Sequence, residues 1–153
     1  MGWRADREIH DAAMWDARPF DRVAAERWLR AVSPPGLDGR ITFAIEIRAS
    51  GRLVGQTNLT RFDQTEGAAY FGVVVGDRDS WGQGVGTETL GLMLEYARTM
   101  GLRRVLLEVT STNRRAIALY RRAGFEMENL PKLPGRQRET GDSVLVMCRY
   151  LDR

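Results

Sequence analysis

The stretch SWGQGVGTETLGLML, residues 80–94, constrains this chain more than any other. It follows AAYFGVVV (Ala68–Val75), which reads as a strand. It opens a run in which Val85, Thr89, Leu92, Met93, Tyr96 and Met100 recur every three or four positions, with Gly101 where a helix C-cap belongs. That spacing predicts a helix of about 17 residues. Gly82, Gly84 and Gly86 lie between the strand and the helix, where the first N–H groups of a helix have no intrahelical partner. Glycine allows unusual dihedrals and lets a ligand lie against the main chain. The amides of Gln83, Gly84, Val85, Gly86 and Thr87 are therefore expected to cradle a pyrophosphate. A flexible turn that only feeds the helix is the alternative.

Two other phosphate-binding designs fail on this loop. A P-loop needs Gly-Lys followed by Ser or Thr, and the loop has no lysine. A dinucleotide fold needs GxGxxG near the start of a parallel βαβ unit, and its third position here is Thr89. The net charge, 23 minus 20 or +3, is slight, the acidic residues are interspersed, and Lys132 is the only lysine, so no nucleic-acid partner is expected. An anionic ligand needs only a local patch, which NRRAIALYRR (Asn113–Arg122) supplies. One cysteine, Cys148, and one histidine, His10, exclude multi-cysteine and histidine-cluster metal sites, so no metal is expected. No apolar run reaches the roughly 18 residues of a membrane span, and the amino terminus lacks a signal-peptide pattern; a cytoplasmic protein is expected.

With 153 residues, 43% of them hydrophobic, residues 1–153 read as a single domain. Helical spacing covers residues 4–17 and Asp21–Val32, the second helix ending at SPPG, Ser33–Gly36. Ile41–Ile47, Leu53–Leu59 and Ala68–Val75 then read as an antiparallel meander. After the glycine loop and its helix come a strand, RVLLEVT (Arg104–Thr110), and a helix with Asn113 as N-cap and an apolar stripe of Ala116, Ile117, Tyr120 and Ala123 before Gly124. A last pair of strands is expected near Phe125–Met127 and Ser143–Tyr150, separated by an irregular loop, Pro131–Gly141.

WGQGVGTETL, together with LEVTSTNRRAIALYRRAGF (Leu107–Phe125) and GDSVLVM near the carboxyl end, resembles the GCN5-related N-acetyltransferase (GNAT) superfamily over roughly residues 41–150. The form is that of the ribosomal-protein N-acetyltransferases and their spermidine-acetylating relatives. The resemblance implies an α+β fold: a mostly antiparallel, twisted central sheet of about six or seven strands, flanked by about four helices and splayed between the fourth and fifth strands. Relatives usually have a first strand and a longer lead-in to the first helix. Here the first strand is absent or replaced, or the chain begins internally. The resemblance also implies acetyl-CoA as co-substrate and an amine acceptor: a peptide or protein amino terminus, a polyamine, an aminoglycoside or another small amine. A homodimer is left open, and so is an acyl-CoA sensor or interaction module without turnover.

The implied chemistry needs a deprotonated amine, a stabilised oxyanion and a protonated leaving thiolate. An aliphatic amine, with a pKa of about 10, must lose a proton before it attacks. Glu108, sharing a strand face with Leu106 and Thr110, is the expected base, through water, because a carboxylate among apolar neighbours has a raised pKa. A solvated strand glutamate is the alternative. Tyr120 is the expected acid; as a member of the Ala116–Ile117 stripe it could equally be core. In FGVVVG, the main chain of Val73, Val74 and Val75 is expected to bind the pantetheine arm and offer an oxyanion donor. Asn113 and Trp81 complete the expected cofactor contacts, Trp81 either packing on the cofactor or fixing the turn. His10 lies far from both motifs. Cys148, without a histidine partner for covalent chemistry, reads as core.

Overall fold

The computed structural model describes residue 3 and residues 6–13, 21–32, 39–129 and 143–151, with Ala12, Leu29, Ala31 and Val32 described by backbone only. Four helices and six strands follow in order: α1 (Arg7–Ala12), α2 (Arg22–Val32), β1 (Arg40–Ile47), β2 (Arg52–Asp63), β3 (Ala68–Val75), α3 (Val85–Thr99), β4 (Arg104–Thr110), α4 (Arg114–Arg122), β5 (Glu126–Met127) and β6 (Val144–Tyr150). The sheet order is β1-β2-β3-β4-β6-β5, and every pairing is antiparallel except β3 with β4.

Local chemistry sets the ends of these elements. Asp6 caps α1, its carboxylate accepting from the N–H groups of Glu8 and Ile9, and the helix closes at Ala13. It is thus shorter than the spacing over 4–17 predicts; residues 14–17 lie outside the described residues, as do Ser33–Gly36 and the loop Pro131–Gly141. Asp21 accepts from Ala24 N–H at 2.8 Å at the start of α2. Asn113 caps α4 as expected, accepting from Ala116 N–H at 3.1 Å. The helix after the glycine loop has 15 residues rather than about 17, because Gly84, at φ +85°, stands outside its first turn. β2 runs on to Asp63, beyond Leu59, through an irregularity between Thr60 and Asp63. Phe125 belongs to the core and not to the short β5.

One face of the sheet carries the main core. Leu59, Ala69, Phe71, Val105, Leu107, Val109 and Met147 pack there against Leu90, Met93, Leu94 and Ala97 of α3 and Tyr120 of α4. Fully buried leucines such as Leu59, Leu90 and Leu107 each contribute about 2 kcal/mol by leaving water. The opposite face carries a smaller cluster of Ala68, Leu106, Val146 and Cys148, with Tyr70 against it.

The pairing of β3 with β4 covers only Ala68–Tyr70 against Arg104–Leu106. Beyond that point β3 stays with β2 as far as Val75, and β4 stays with β6 as far as Thr110, so the two halves of the sheet part. The splay falls between the third and fourth strands rather than the fourth and fifth. Among the described residues no strand precedes α1, which lowers the count by one.

Candidate active site

The mouth of the splay is built by the residues that follow β3. Trp81 donates its indole N–H to Val75 C=O at 2.8 Å. Asp77 pairs with Arg52 at 2.9 Å and accepts a short hydrogen bond from the Ser80 hydroxyl. Gln83 donates its side-chain amide to Asp79 C=O at 2.6 Å. Trp81 therefore helps to fix the turn, and the Val75 carbonyl is engaged by it.

The early helix is not remote from this turn. Arg78 reaches Asp6 and Glu8 at 2.8 Å each and holds α1 against it. The Arg78 guanidinium holds the Asp6 carboxyl below its usual range, while two carboxylates raise the pKa of Arg78 itself. His10 sits on the same helix beside Asp11 at 3.7 Å. The Trp3 ring fills the space a Cβ would need at Gly76.

Past the turn, Gly82 (φ +76°) and Gly84 (φ +85°) adopt left-handed backbone, and open space lies where a side chain would start. Glu88 N–H is the first in α3 to find a helix carbonyl, Gly84 O at 2.9 Å, so the N–H groups of Val85, Gly86 and Thr87 face out of the helix end. Gly86 differs from the other two: its φ is ordinary, and an added Cβ would meet only Leu119 Cδ2 of α4, at 3.5 Å. Nothing among the described residues requires glycine at position 86. Two guanidinium groups flank the loop, Arg78 at 4.9 Å and Arg115 at 5.1 Å from the Trp81 ring. The patch expected over Asn113–Arg122 thus reaches the loop through Arg115. Arg78 and Arg115 are the cations that sequence reading did not single out. The spacing of NRRAIALYRR shows a basic helix but not which arginine turns toward the loop.

Glu108 and Tyr120 lie on opposite faces of the sheet, close to the level where it parts. Glu108 stands two residues beyond Leu106, the last residue of β4 paired with β3. Its side chain is only 4% exposed and faces the Arg61 guanidinium at 3.4 and 3.5 Å. The expectation of a purely apolar surrounding is corrected: a charged partner 47 residues away, unseen in the local strand pattern, lies on it. Arg61 also covers the Tyr70 ring at 4.0 Å.

Tyr120 packs edge-on to Phe71, the first residue of β3 beyond the paired segment, with ring centroids 6.4 Å apart, and against Phe125 at 5.9 Å. Burial pushes its phenol up to about 12. Its side chain is core, as its helical stripe suggests, and it packs on the first β3 residue past the paired segment. Val73 and Val74 continue β3 along the gap, opposite Thr57 and Gln56 of β2. Thr57 donates its hydroxyl to Gly72 C=O at 2.9 Å, which secures β3 on the closed side. Asn113 spends one side-chain oxygen on its own helix. Cys148 is buried opposite Leu106, and burial pushes its thiol up. Among the described residues no cluster of metal-ligating side chains occurs and no helix is long and apolar enough to cross a membrane.

Comparison with known proteins agrees with this architecture. The L-methionine sulfoximine/L-methionine sulfone acetyltransferase of Pseudomonas paraeruginosa is 29% identical over 118 residues, 75% of this chain and 66% of that protein, just under two thirds of its length. The N-alpha-acetyltransferase RimI of Mycobacterium tuberculosis is 37% identical over 54% of this chain and 51% of its own. The crystal structure of spermidine N-acetyltransferase from Vibrio cholerae, in complex with CoA and spermine, superposes with a TM-score of 0.81 over 99% of this chain and 87% of that one, at 18% identity, a likeness of fold. The model of the acetyltransferase (GNAT) domain matches residues 1–126, and the chain belongs to that family.

Proposed function

We propose that this chain, as a single cytoplasmic domain over residues 1–153, transfers an acetyl group from acetyl-CoA to a primary amine by direct attack in a ternary complex. The acceptor is a peptide or protein amino terminus or a small amine. Relatives named for acetylating L-methionine sulfoximine and for N-alpha acetylation support an amine acceptor rather than nucleic acid or a lipid surface. The observation that carries the reading is the parting of β3 from β4 beside a helix end lined by Gly82, Gly84 and Gly86. Strand edges released from pairing can hydrogen-bond an amide-bearing arm, and an open helix amino terminus can hold its pyrophosphate. Gly86 is the clearest sign. Glycine in a helix is destabilising by up to about 1 kcal/mol relative to alanine. No contact among the described residues requires it, and a close ligand would.

In this reading the pyrophosphate lies on the amides of Gln83 to Thr87, with Arg78 and Arg115 nearby, and the pantetheine arm runs along Val73 and Val74. Trp81 and Asn113 shape the site by fixing the turn and the start of α4. Glu108 takes a proton from the acceptor ammonium through water. The freed amine attacks the thioester carbon, so that a C–N bond forms and negative charge moves to the carbonyl oxygen, where a β3 N–H receives it. The C–S bond then breaks, with its electron pair leaving on sulfur, and the nitrogen gives up its second proton to solvent.

Tyr120 meets the departing sulfur with a hydroxyl that is always loaded at neutral pH, because its pKa is pushed up to about 12. A thiol, at about 8.5, is the stronger acid, so complete transfer from Tyr120 to a free thiolate is uphill. The hydroxyl therefore acts while the bond is breaking, as a donor to the developing charge, and solvent restores any proton it gives up. The test is release of CoA thiol from acetyl-CoA on addition of amines. Amine-dependent release with a matching N-acetylated product is expected. Tight acetyl-CoA binding without release for peptides, polyamines, aminoglycosides or amino acids would instead mark a non-catalytic sensor.

A further inference from the structure

We infer that Arg61 selects the acceptor, favouring amines that carry a carboxylate on the neighbouring carbon, as a free α-amino acid does; this rests on the acetyl-transfer reading above. Arg61 is the only non-glycine residue with positive φ, 52°, among the described residues. It sits where the pairing of β2 with β3 slips, between Thr60 and Asp63. Such a conformation costs on the order of 1 kcal/mol or more, and glycine or asparagine would adopt it more readily. What arginine adds is reach. From that bulge its guanidinium lies over the Tyr70 ring at 4.0 Å and faces both carboxylate oxygens of Glu108 at 3.5 and 3.4 Å.

The arrangement is layered. The Glu108 side chain is 4% exposed and that of Arg61 35%, so the more accessible of the paired charges is the cation. A bare ammonium approaching Glu108 meets a like charge first, and a polyamine carries several such charges. The two oxygen contacts are longer than the roughly 2.7–2.9 Å of a tight charge-assisted bond. Arg61 can therefore turn part of its five-donor fork to another anion while staying over Tyr70. An α-amino acid satisfies both groups together, its carboxylate on Arg61 and its amine directed to Glu108. The pair then orients the nucleophile as well as admitting it.

The experiment compares neutral L-α-amino acids with their matching α-amino amides as acceptors, in wild type, Arg61→Gln and Arg61→Lys, reading kcat/KM from thiol release. In wild type the acid should exceed the amide by about tenfold or more, the scale of one hydrogen-bonded charge pair. Arg61→Gln should bring that ratio close to one, chiefly through the KM of the acid. Arg61→Lys, which keeps the cation but loses the fork, should lower it less. The ratio cancels any effect of the substitution on Glu108 common to both acceptors. Calorimetry of the same acid and amide pairs with CoA present reads the preference without turnover. Equal use of acid and amide by wild type, or an unchanged ratio in Arg61→Gln, overturns the inference. A binding preference that Arg61→Gln abolishes, with no acetyl transfer to any amine, would overturn the acetyl-transfer reading and leave the selection by Arg61 standing.

Discussion

Tyr120, on the helical face of the sheet, is walled by Phe71 and Phe125 and is 7% exposed; Glu108, on the other face, faces the Arg61 guanidinium at 3.4 and 3.5 Å. The first is positioned by packing. Tyr120 shares a cluster with Leu90, Met93, Leu107 and Met147, where shape is fixed by close contact on many sides. The second faces a charge, beside the smaller cluster that, among the described residues, holds Ala68, Leu106, Val146 and Cys148. A group fixed by packing keeps its geometry when its polar atom is removed. A group fixed by a long ion pair can exchange partners. A residue that acts only as a bond breaks suits the first environment, and one that must meet a variable acceptor suits the second.

The largest effect should come from the electrostatically held side. Glu108→Gln keeps the shape, leaves partly solvated Arg61 with an amide oxygen to face, and removes the base. Turnover near neutral pH should fall by about a hundredfold or more. Raising the pH should recover much of it, because more of the amine is then already deprotonated. The measurement is kcat/KM against pH for wild type and variant with one acceptor, and a profile of unchanged shape would remove Glu108 from proton transfer.

Tyr120→Phe probes the packed side and separates two roles in one variant. The ring remains, so folding and acetyl-CoA affinity should be kept while kcat falls by about a hundredfold, the effect of losing a donor to developing charge. The same variant should alter alkaline unfolding. The phenol is raised from 10.0 to about 12 in the folded state. Its stabilising contribution is therefore complete below pH 10 and is lost as the pH rises toward 12. That difference corresponds to about 3 kcal/mol. Urea unfolding between those pH values should thus fall steeply for wild type and less steeply for Tyr120→Phe. Wild-type kcat with the difference in slopes intact would leave Tyr120 as core alone.

What could be read from sequence followed the range of the interactions involved. The helix from Val85 and the cap at Asn113 depend on neighbours within a turn, so spacing revealed them. The alternating strands did the same, apart from β2, whose continuation past Leu59 passes through the irregular backbone at Arg61. The catalytic candidates were legible as residue types on known faces. The Arg61 contact was not, because it joins two strands across a third and starts from a left-handed residue that no alternation marks. Trp81 belongs between these cases: an aromatic residue beside glycines suggests either a ligand or a turn, and the Val75 carbonyl 2.8 Å from its indole shows its part in the turn.

The smallest effect tests the glycine loop, where folding and binding should respond in opposite directions. At Gly84, with φ +85°, any side chain strains the backbone, so weaker binding there could reflect folding. Gly86 avoids that ambiguity, since its φ is ordinary and an added Cβ would meet Leu119 Cδ2 at a normal 3.5 Å. Gly86→Ala should therefore leave the fold as stable or raise its stability by up to about 1 kcal/mol, by removing helix-disfavouring backbone freedom. The same methyl group would stand beside the outward-facing amides of Val85 and Thr87. A pyrophosphate seated there would be pushed off its donors, and acetyl-CoA should bind about tenfold more weakly, the cost of roughly one hydrogen bond. Denaturant unfolding and calorimetry on the same preparation read both signs. If stability rose and acetyl-CoA affinity did not change, the glycines would be serving the turn alone, and the pyrophosphate would have to be sought elsewhere along the splay.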